Sequence, residues 1–171
     1  MQLSRFYKTL VAVFEPPSSP SSLEGGPDYV TSRFQVGPVR YTVVFDDENG
    51  SGEYFMMYGL DDIEGTDEEF RVWLSHSLRR EITLAQAHQM RRHALDFPMD
   101  LIQLGNSFQV LGRLVATIQD FIGQHQPEAI RFTAEGTHIG VYKKMIKRFF
   151  SQQDVHIKET GGGAAFQIKF K

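Results

Sequence analysis

Residues 107–150 read SFQVLGRLVATIQDFIGQHQPEAIRFTAEGTHIGVYKKMIKRFF, and this stretch predicts a helix, a strand and a second helix. In its first part, apolar residues recur at the spacing that places them on one helix face. Ser107 stands at the start of that pattern, where its hydroxyl can accept from free backbone N–H groups. The run EAIRFTA alternates apolar and polar residues as a strand does, and THIGVYKKMIKRFF returns to helical spacing. This helix–strand–helix unit organises the fold.

The second predicted helix has two chemically different faces. Its apolar face is formed by Ile139, Tyr142, Met145, Ile146, Phe149 and Phe150. Its basic face is formed by Lys143, Lys144, Lys147 and Arg148. These cations lie at positions i, i+1, i+4 and i+5, so they form one contiguous patch. Such a patch suits contact with a partner or with phosphates, and the alternative is an ordinary solvated helix face.

The composition is that of a globular protein. A chain of 171 residues with 41% hydrophobic residues suits one domain with a sizeable core. The net charge of −3 predicts no overall attraction to nucleic acid or to an anionic membrane. The absence of Cys excludes disulfides, thiolate metal sites and cysteine catalysis. No apolar run reaches the roughly 20 residues that span a bilayer, so we expect a cytoplasmic protein.

Three segments differ in character along the chain. Residues 1–14 show helical spacing of apolar residues and predict an amphipathic helix, which either docks on the domain or binds a partner. Residues 15–29 are rich in Pro, Ser and Gly and predict a surface connection. Residues 30–171 then form a single domain, with a helical insertion at 66–96.

The domain begins with predicted strands. Residues from Thr31 to Leu60 read as an antiparallel meander, with Asn49-Gly50 at the centre of a hairpin turn. The acidic residues 46–48 precede that turn. They lack the spaced ligands of a calcium loop, so a solvated hairpin tip is the favoured interpretation over a cation site.

The insertion at 66–96 predicts a helical pair. Thr66 with Glu69, and Thr83 with Gln86, have the spacing of capping boxes at helix N-termini. The pair carries the only Trp and a concentration of arginines, which could extend a phosphate-binding surface. These arginines are Arg71, Arg79, Arg80, Arg91 and Arg92.

The rest of the chain completes a mixed sheet. Residues 99–104 predict a short strand, and the segments VHIKE and AAFQIKF predict a closing hairpin around three glycines. The strand–helix–strand crossover around Leu101–Ala134 implies locally parallel pairing. We therefore predict an α/β (α+β) domain whose mixed, mostly antiparallel sheet has helices on its faces.

The order of elements from Thr31 onward resembles the acetyl-CoA-dependent N-acyltransferase superfamily (GNAT), with the helical pair as an added segment. In that family a glycine-containing turn holds the cofactor pyrophosphate at a helix N-terminus. The nearest motif match is residues 109–114, with Leu114 in place of a small residue. The resemblance implies an anion site formed by Gly105, Asn106 and Ser107.

The same resemblance places Tyr142 where the family has a tyrosine that protonates the leaving thiolate. Because Tyr142 falls on the apolar helix face, core packing is the alternative and favoured interpretation. A base for acyl transfer would be Asp100 or Glu53. In this alternative the chain is an acyltransferase that uses acetyl-CoA.

A second resemblance is closer in its motifs. Gly105, Phe108 and Val110 at a helix start, residues 132–134 at a strand end, and a Val141-Tyr142 helix with Lys147-Arg148 are similar to a group of uncharacterised proteins of tailed phages and mobile elements. This resemblance implies origin and fold, and it implies no activity.

Metal and nucleophilic chemistry have little support in the sequence. Six histidines occur, and no two of them have the i, i+4 spacing of a helical metal site. No Gly-x-Ser-x-Gly nucleophile elbow is present. We therefore predict no metal.

The function predicted from the sequence is a non-enzymatic binding protein, encoded by a phage or mobile element and acting in the host cell cytoplasm. Its partner is a host or virion protein, with a nucleic acid as the alternative partner, and it needs no cofactor. An acetyl-CoA-dependent N-acyltransferase is the competing hypothesis.

Overall fold

The computed structural model describes residues 23–25, 29–47, 49–96, 107–136 and 138–170. This part of the chain forms seven strands and four helices. The strands are β1 (Leu23–Gly25), β2 (Tyr29–Val36), β3 (Val39–Asp46), β4 (Glu53–Ile63), β5 (Ala129–Glu135), β6 (Asp154–Thr160) and β7 (Gly163–Lys169). The helices are α1 (Asp67–Leu78), α2 (Leu84–Asp96), α3 (Ser107–His125) and α4 (His138–Phe149).

The strands form one sheet in the order β1-β2-β3-β4-β5-β7-β6. Strands β4 and β5 are parallel, and the other neighbouring pairs of described strands are antiparallel. The predicted α+β domain with a mixed, mostly antiparallel sheet is therefore confirmed. Strand β1 is an addition, because only a connection was predicted for residues 15–29. The predicted helix at 1–14 lies outside the described residues.

The parallel pair joins strands that are distant in sequence. Glu53 of β4 lies beside Ala129 of β5. The chain between them passes through α1, α2 and α3, which supplies the long crossover that parallel pairing requires. The parallel pairing was predicted around Leu101–Ala134. The strand predicted at residues 99–104 lies outside the described residues, and β4 is the described parallel neighbour of β5.

The hydrophobic core lies on one face of the sheet, here called the inner face. On β3 this face carries the fully buried residues Val39, Tyr41, Val43 and Phe45. Phe45 stacks on Phe121 of α3 with ring centroids 3.9 Å apart. Apolar residues from all four described helices belong to the same core cluster as these β3 side chains. The helices therefore bury their apolar stripes against the inner face.

The opposite face, here called the outer face, carries buried polar groups on β2, β3 and β4. Arg33 is 3% exposed, and Thr42 is 1% exposed. The Thr42 hydroxyl donates to Asp61 Oδ2 at 3.2 Å, and Arg33 Nε lies 3.8 Å from the same oxygen. The outer face of this half of the sheet thus holds polar groups that are shielded from water.

The predicted helical pair at 66–96 is present as α1 and α2. Asp67 at the start of α1 accepts from Arg91 at 3.1 Å and lies 2.8 Å from His88 Nδ1, so it ties the two helices together. Arg91 also donates to the backbone carbonyl of Ile63 at 2.7 Å, which fixes the pair to β4. Asp67, His88 and Arg91 therefore hold the helical pair together and on the sheet.

The pair also docks on the β2–β3 turn. Gly37 in that turn has φ +58°, and a Cβ atom there would overlap the indole of Trp73. Only glycine combines this left-handed conformation with so close an approach. The single tryptophan of the chain is therefore a docking residue of α1.

Both predicted hairpins are present. At the β3–β4 turn, Asp47 accepts from the backbone N–H groups of Ser51 and Gly52 at 3.0 and 2.9 Å. This carboxylate therefore organises the turn and is buried, whereas a solvated hairpin tip was predicted. Strands β6 and β7 pair over their whole length, from Asp154 beside Lys169 to Thr160 beside Gly163.

Candidate binding surface on helix α4

Helix α4 packs on the inner face through the predicted apolar residues. Tyr142, Met145 and Ile146 are buried, and so is Phe150, which follows the helix. Phe149 was predicted on the same apolar face, but it is 43% exposed. This part of the prediction was wrong: Phe149, the last helical residue, is exposed, whereas Phe150, which was predicted on the same face, lies in the core.

Tyr142 lies in an aromatic cluster. Its ring is 5.3 Å from that of Phe132, 6.1 Å from that of Phe166 and 6.2 Å from that of Tyr58, measured between centroids. The side chain is 6% exposed, and burial raises the pKa of its hydroxyl. A general acid must reach a leaving group and exchange its proton. The position of Tyr142 therefore matches core packing, the favoured alternative.

The basic face of α4 is exposed, as predicted. Lys143 forms an ion pair with Glu159 of β6. Lys144, Lys147 and Arg148 are exposed, and within the described residues they form no ion pair. Their charges are therefore not neutralised by side chains of the described ranges.

An exposed aromatic ring lies beside these cations. The Arg148 guanidinium carbon is 5.3 Å from the centroid of the Phe149 ring, a cation–π geometry. Lys144, Lys147, Arg148 and Phe149 are together called the basic–aromatic patch. The sequence pointed to its three cations, whereas Phe149 was missed because helical spacing alone does not reveal where the covering sheet ends.

The arginines of the helical pair do not form one surface with each other. Arg71 pairs with Glu68, and Arg91 pairs with Asp67, so both are used within the pair. Arg79 is the C-cap of α1, with φ +54°. Arg80 and Arg92 are exposed. The pair is held at the β2–β3 turn and at Ile63, the last residue of β4, whereas α4 contacts Tyr58 in the middle of β4 and then β5 and β7.

Most residues of the predicted anion site, and one of the two predicted catalytic bases, lie outside the described ranges. Gly105, Asn106 and Asp100 lie outside the described residues. Ser107 is the first residue of α3. Glu53 is the half-buried first residue of β4, where it pairs with β5. Of the two predicted bases only Glu53 lies in the described residues, at the start of β4, whereas Tyr142 contacts that strand at Tyr58.

The described ranges contain neither a cluster of metal ligands nor a membrane-crossing helix. There, no group of three or more His, Cys, Asp or Glu residues is arranged to hold a metal ion. No helix in these ranges has the length and apolar character needed to cross a membrane.

Comparisons with known proteins assign neither a family nor a function to the chain. No family model, no curated protein and no solved structure matches the chain. The resemblances to GNAT proteins and to the phage group therefore stay predictions.

Proposed function

We propose that this chain is a non-enzymatic binding protein whose basic–aromatic patch contacts an acidic surface of a protein partner. The observation that carries the proposal is the arrangement at the end of α4. Three exposed cations without ion-pair partners among the described residues lie beside a phenylalanine that is 43% exposed.

The chemistry of this patch suits a protein interface. Aromatic residues and arginine are enriched where binding energy concentrates, because they combine large apolar area with directional polar contact. The unpaired cations attract carboxylates and orient an approaching acidic partner. Phe149 can then be covered by the partner, which removes apolar surface from water.

The position of Tyr142 supports a non-enzymatic role. A residue packed against Phe132 and Phe166 is poorly placed to protonate a departing thiolate. The acetyl-CoA-dependent acyltransferase remains the competing proposal, since the segment with Gly105 and Asn106 lies outside the described residues. A phage or mobile-element origin is proposed on the sequence resemblance alone.

The first prediction concerns charge reversal on the patch. We expect wild-type protein to bind a fluorescein-labelled peptide of alternating Glu and Phe residues, with an affinity that falls as salt concentration rises. The variant Lys144→Glu/Lys147→Glu/Arg148→Glu should lose about tenfold or more in affinity, because attraction becomes repulsion. Fluorescence anisotropy measures the affinity of wild type and of the variant. Phe149→Ala should weaken binding but leave the salt dependence of the affinity unchanged.

A matched control separates the patch from overall charge. The variant Arg80→Glu/Arg92→Glu/Arg113→Glu changes the net charge by the same amount at exposed sites away from α4. It should bind the peptide almost as wild type does. Equal loss of affinity in both triple variants would contradict the proposal, because binding would then depend on total charge.

Two further probes decide between the alternatives. The first probe is a single-stranded DNA with the same charge as the acidic peptide. If the protein binds this DNA more tightly than the peptide, recognition of carboxylates does not explain the binding, and the partner is a nucleic acid instead of a protein. Calorimetric titration with acetyl-CoA that shows one site at micromolar affinity would instead favour the acyltransferase.

A further inference from the structure

The two edges of the sheet differ in length and regularity. Strand β1 at one edge has three residues, whereas β6 at the other edge has seven, Asp154–Thr160. Strand β6 pairs with β7 without a register shift and contains neither Pro nor Gly. Six of its seven residues are exposed, and Val155 is half-buried. A long regular edge strand of this kind presents unpaired backbone groups to another strand.

The side chains of β6 divide between the two faces of the sheet. Val155 and Ile157 lie on the inner face, since Ile157 is opposite the core residue Phe166. Ile157 is 42% exposed because the sheet ends beside it. Asp154, His156 and Lys158 lie on the outer face. Over Asp154–Lys158 the edge therefore offers apolar groups on the inner face and opposite charges on the outer face, and Glu159 follows on the inner face.

This pattern is complementary to itself. In an antiparallel pair of two β6 strands centred on His156, Asp154 of each copy lies opposite Lys158 of the other copy. In the same register Val155 lies opposite Ile157. Two-fold symmetry makes each contact twice, and His156 faces its own copy. Cross-strand neighbours of opposite charge and of apolar character stabilise antiparallel pairs.

The neighbouring symmetric register is poorer. If the pair is centred on Ile157, Val155 lies opposite Glu159 and His156 lies opposite Lys158. One contact then sets an apolar side chain against a carboxylate, and the other offers no opposite charge. Of these two registers, the side-chain pattern of β6 favours the one centred on His156.

We propose that β6 pairs with β6 of a second copy of this chain, antiparallel and centred on His156, so that two sheets join into one. The occupant of the edge is a second copy because the charges of β6 complement those of β6 itself. The interface is isologous, since the same surface serves both partners. This inference is independent of the basic–aromatic patch, which lies on α4.

The second prediction is a charge-exchange experiment on the full-length chain. Wild-type protein should dimerise in sedimentation equilibrium across a concentration series. Asp154→Lys places lysine opposite Lys158, and Lys158→Asp places aspartate opposite Asp154. Each single variant should weaken dimerisation about tenfold or more, because two attractive contacts become repulsive. Both residues are exposed, and circular dichroism melts should show that each variant still unfolds cooperatively.

Mixing the two single variants provides the decisive result. Asp154→Lys and Lys158→Asp complement each other in the proposed register, so an equimolar mixture should restore dimers. Glu135→Lys, an exposed substitution on β5 away from the edge, should leave dimerisation unchanged. A wild type that stays monomeric at the highest attainable concentration would overturn the inference, and so would a dimer that neither single variant weakens or that mixing fails to restore.

The outcome is separable from that of the proposed function. The variant Lys144→Glu/Lys147→Glu/Arg148→Glu leaves the β6 residues intact, and Asp154→Lys leaves the patch intact. Loss of peptide binding with retained dimerisation, or the reverse, therefore assigns each result to one surface.

Discussion

Asp61 and Arg33 meet on the outer face of the sheet, where their side chains are 6% and 3% exposed. Burial raises the pKa of Asp61 above its ordinary value of 3.8, because a carboxylate loses hydration when it leaves water. The hydrogen bond from Thr42 and the charge of Arg33 act in the opposite direction and are weaker. Ionisation of Asp61 is therefore less favourable in the folded than in the unfolded chain.

The third prediction follows from the raised pKa of Asp61. Because the folded-state pKa is raised, the contribution of Asp61 to stability is present at low pH and is lost as pH rises above 3.8 through the folded-state pKa. The variant Asp61→Asn has no ionisable side chain at this position. The difference between its free energy of unfolding and that of wild type should therefore rise between about pH 4 and pH 6. Urea unfolding of both proteins across this range measures the difference. A difference that stays constant or falls with pH would contradict the prediction.

Sequence patterns could not have identified this ion pair. Arg33 and Asp61 stand on strands that are not adjacent in the sheet, with β3 and Thr42 between them. Nothing in the local spacing shows that both side chains turn to the same face and leave water. Their meeting depends on the register of two strand pairs.

At the scale of single elements, α2 has a complete capping box. Thr83 Oγ1 accepts from the backbone N–H of Gln86 at 3.1 Å, and Gln86 Oε1 accepts from the backbone N–H of Thr83 at 2.9 Å. Each side chain thus satisfies a backbone donor that the helix start leaves without an intrahelical partner. The spacing of these two residues predicted the cap, because both partners lie within one turn.

The fourth prediction concerns this cap. Thr83→Ala removes the acceptor and should lower the free energy of unfolding by about 1 kcal/mol. Thr83→Ser keeps the acceptor and should stay close to wild type. Chemical denaturation measures both changes. A Ser variant as unstable as the Ala variant would show that the threonine methyl group, rather than the cap, supplies the stability.

The end of α4 shows the limit of local spacing. Periodicity placed both Phe149 and Phe150 on the apolar face, and one of them is exposed. A periodic pattern assumes that the helix and the covering surface continue, whereas α4 ends at Phe149. Which of two adjacent phenylalanines enters the core is decided by where the sheet and the turn lie.

At the scale of the whole molecule, Tyr142 joins α4 to three strands. Tyr58 on β4, Phe132 on β5 and Phe166 on β7 all contact its ring. These strands are neighbours in the sheet although they are far apart in the chain. The cluster therefore connects the first half of the domain to the second.

The fifth prediction separates the ring of Tyr142 from its hydroxyl. Tyr142→Ala should lower the free energy of unfolding by about 3–5 kcal/mol, because it leaves a cavity among aromatic rings. Tyr142→Phe keeps the ring and should stay near wild type in both stability and peptide binding. Thermal and chemical denaturation test the first statement, and fluorescence anisotropy tests the second. A phenylalanine variant as unstable as the alanine variant would assign the role to the hydroxyl.

The sequence by itself determined the features that depend on neighbours along the chain. Helix α3, strand β5 and helix α4, the capping box of α2, the N-cap Thr66 of α1, and the hairpins β3–β4 and β6–β7 all follow from spacing over a few residues. Each is encoded by contacts within one turn or between adjacent strands. The basic face of α4 was visible for the same reason.

Only the tertiary structure decided the features that depend on distant segments. These are the parallel pairing of β4 with β5, the buried ion pair of Arg33 with Asp61, the exposure of Phe149, and the position of β6 at an edge of the described sheet. Each requires knowing which strands become neighbours and where the sheet ends, and that depends on how the whole chain buries its apolar surface at once. Both proposed binding surfaces use such features, because a surface consists of what folding leaves uncovered.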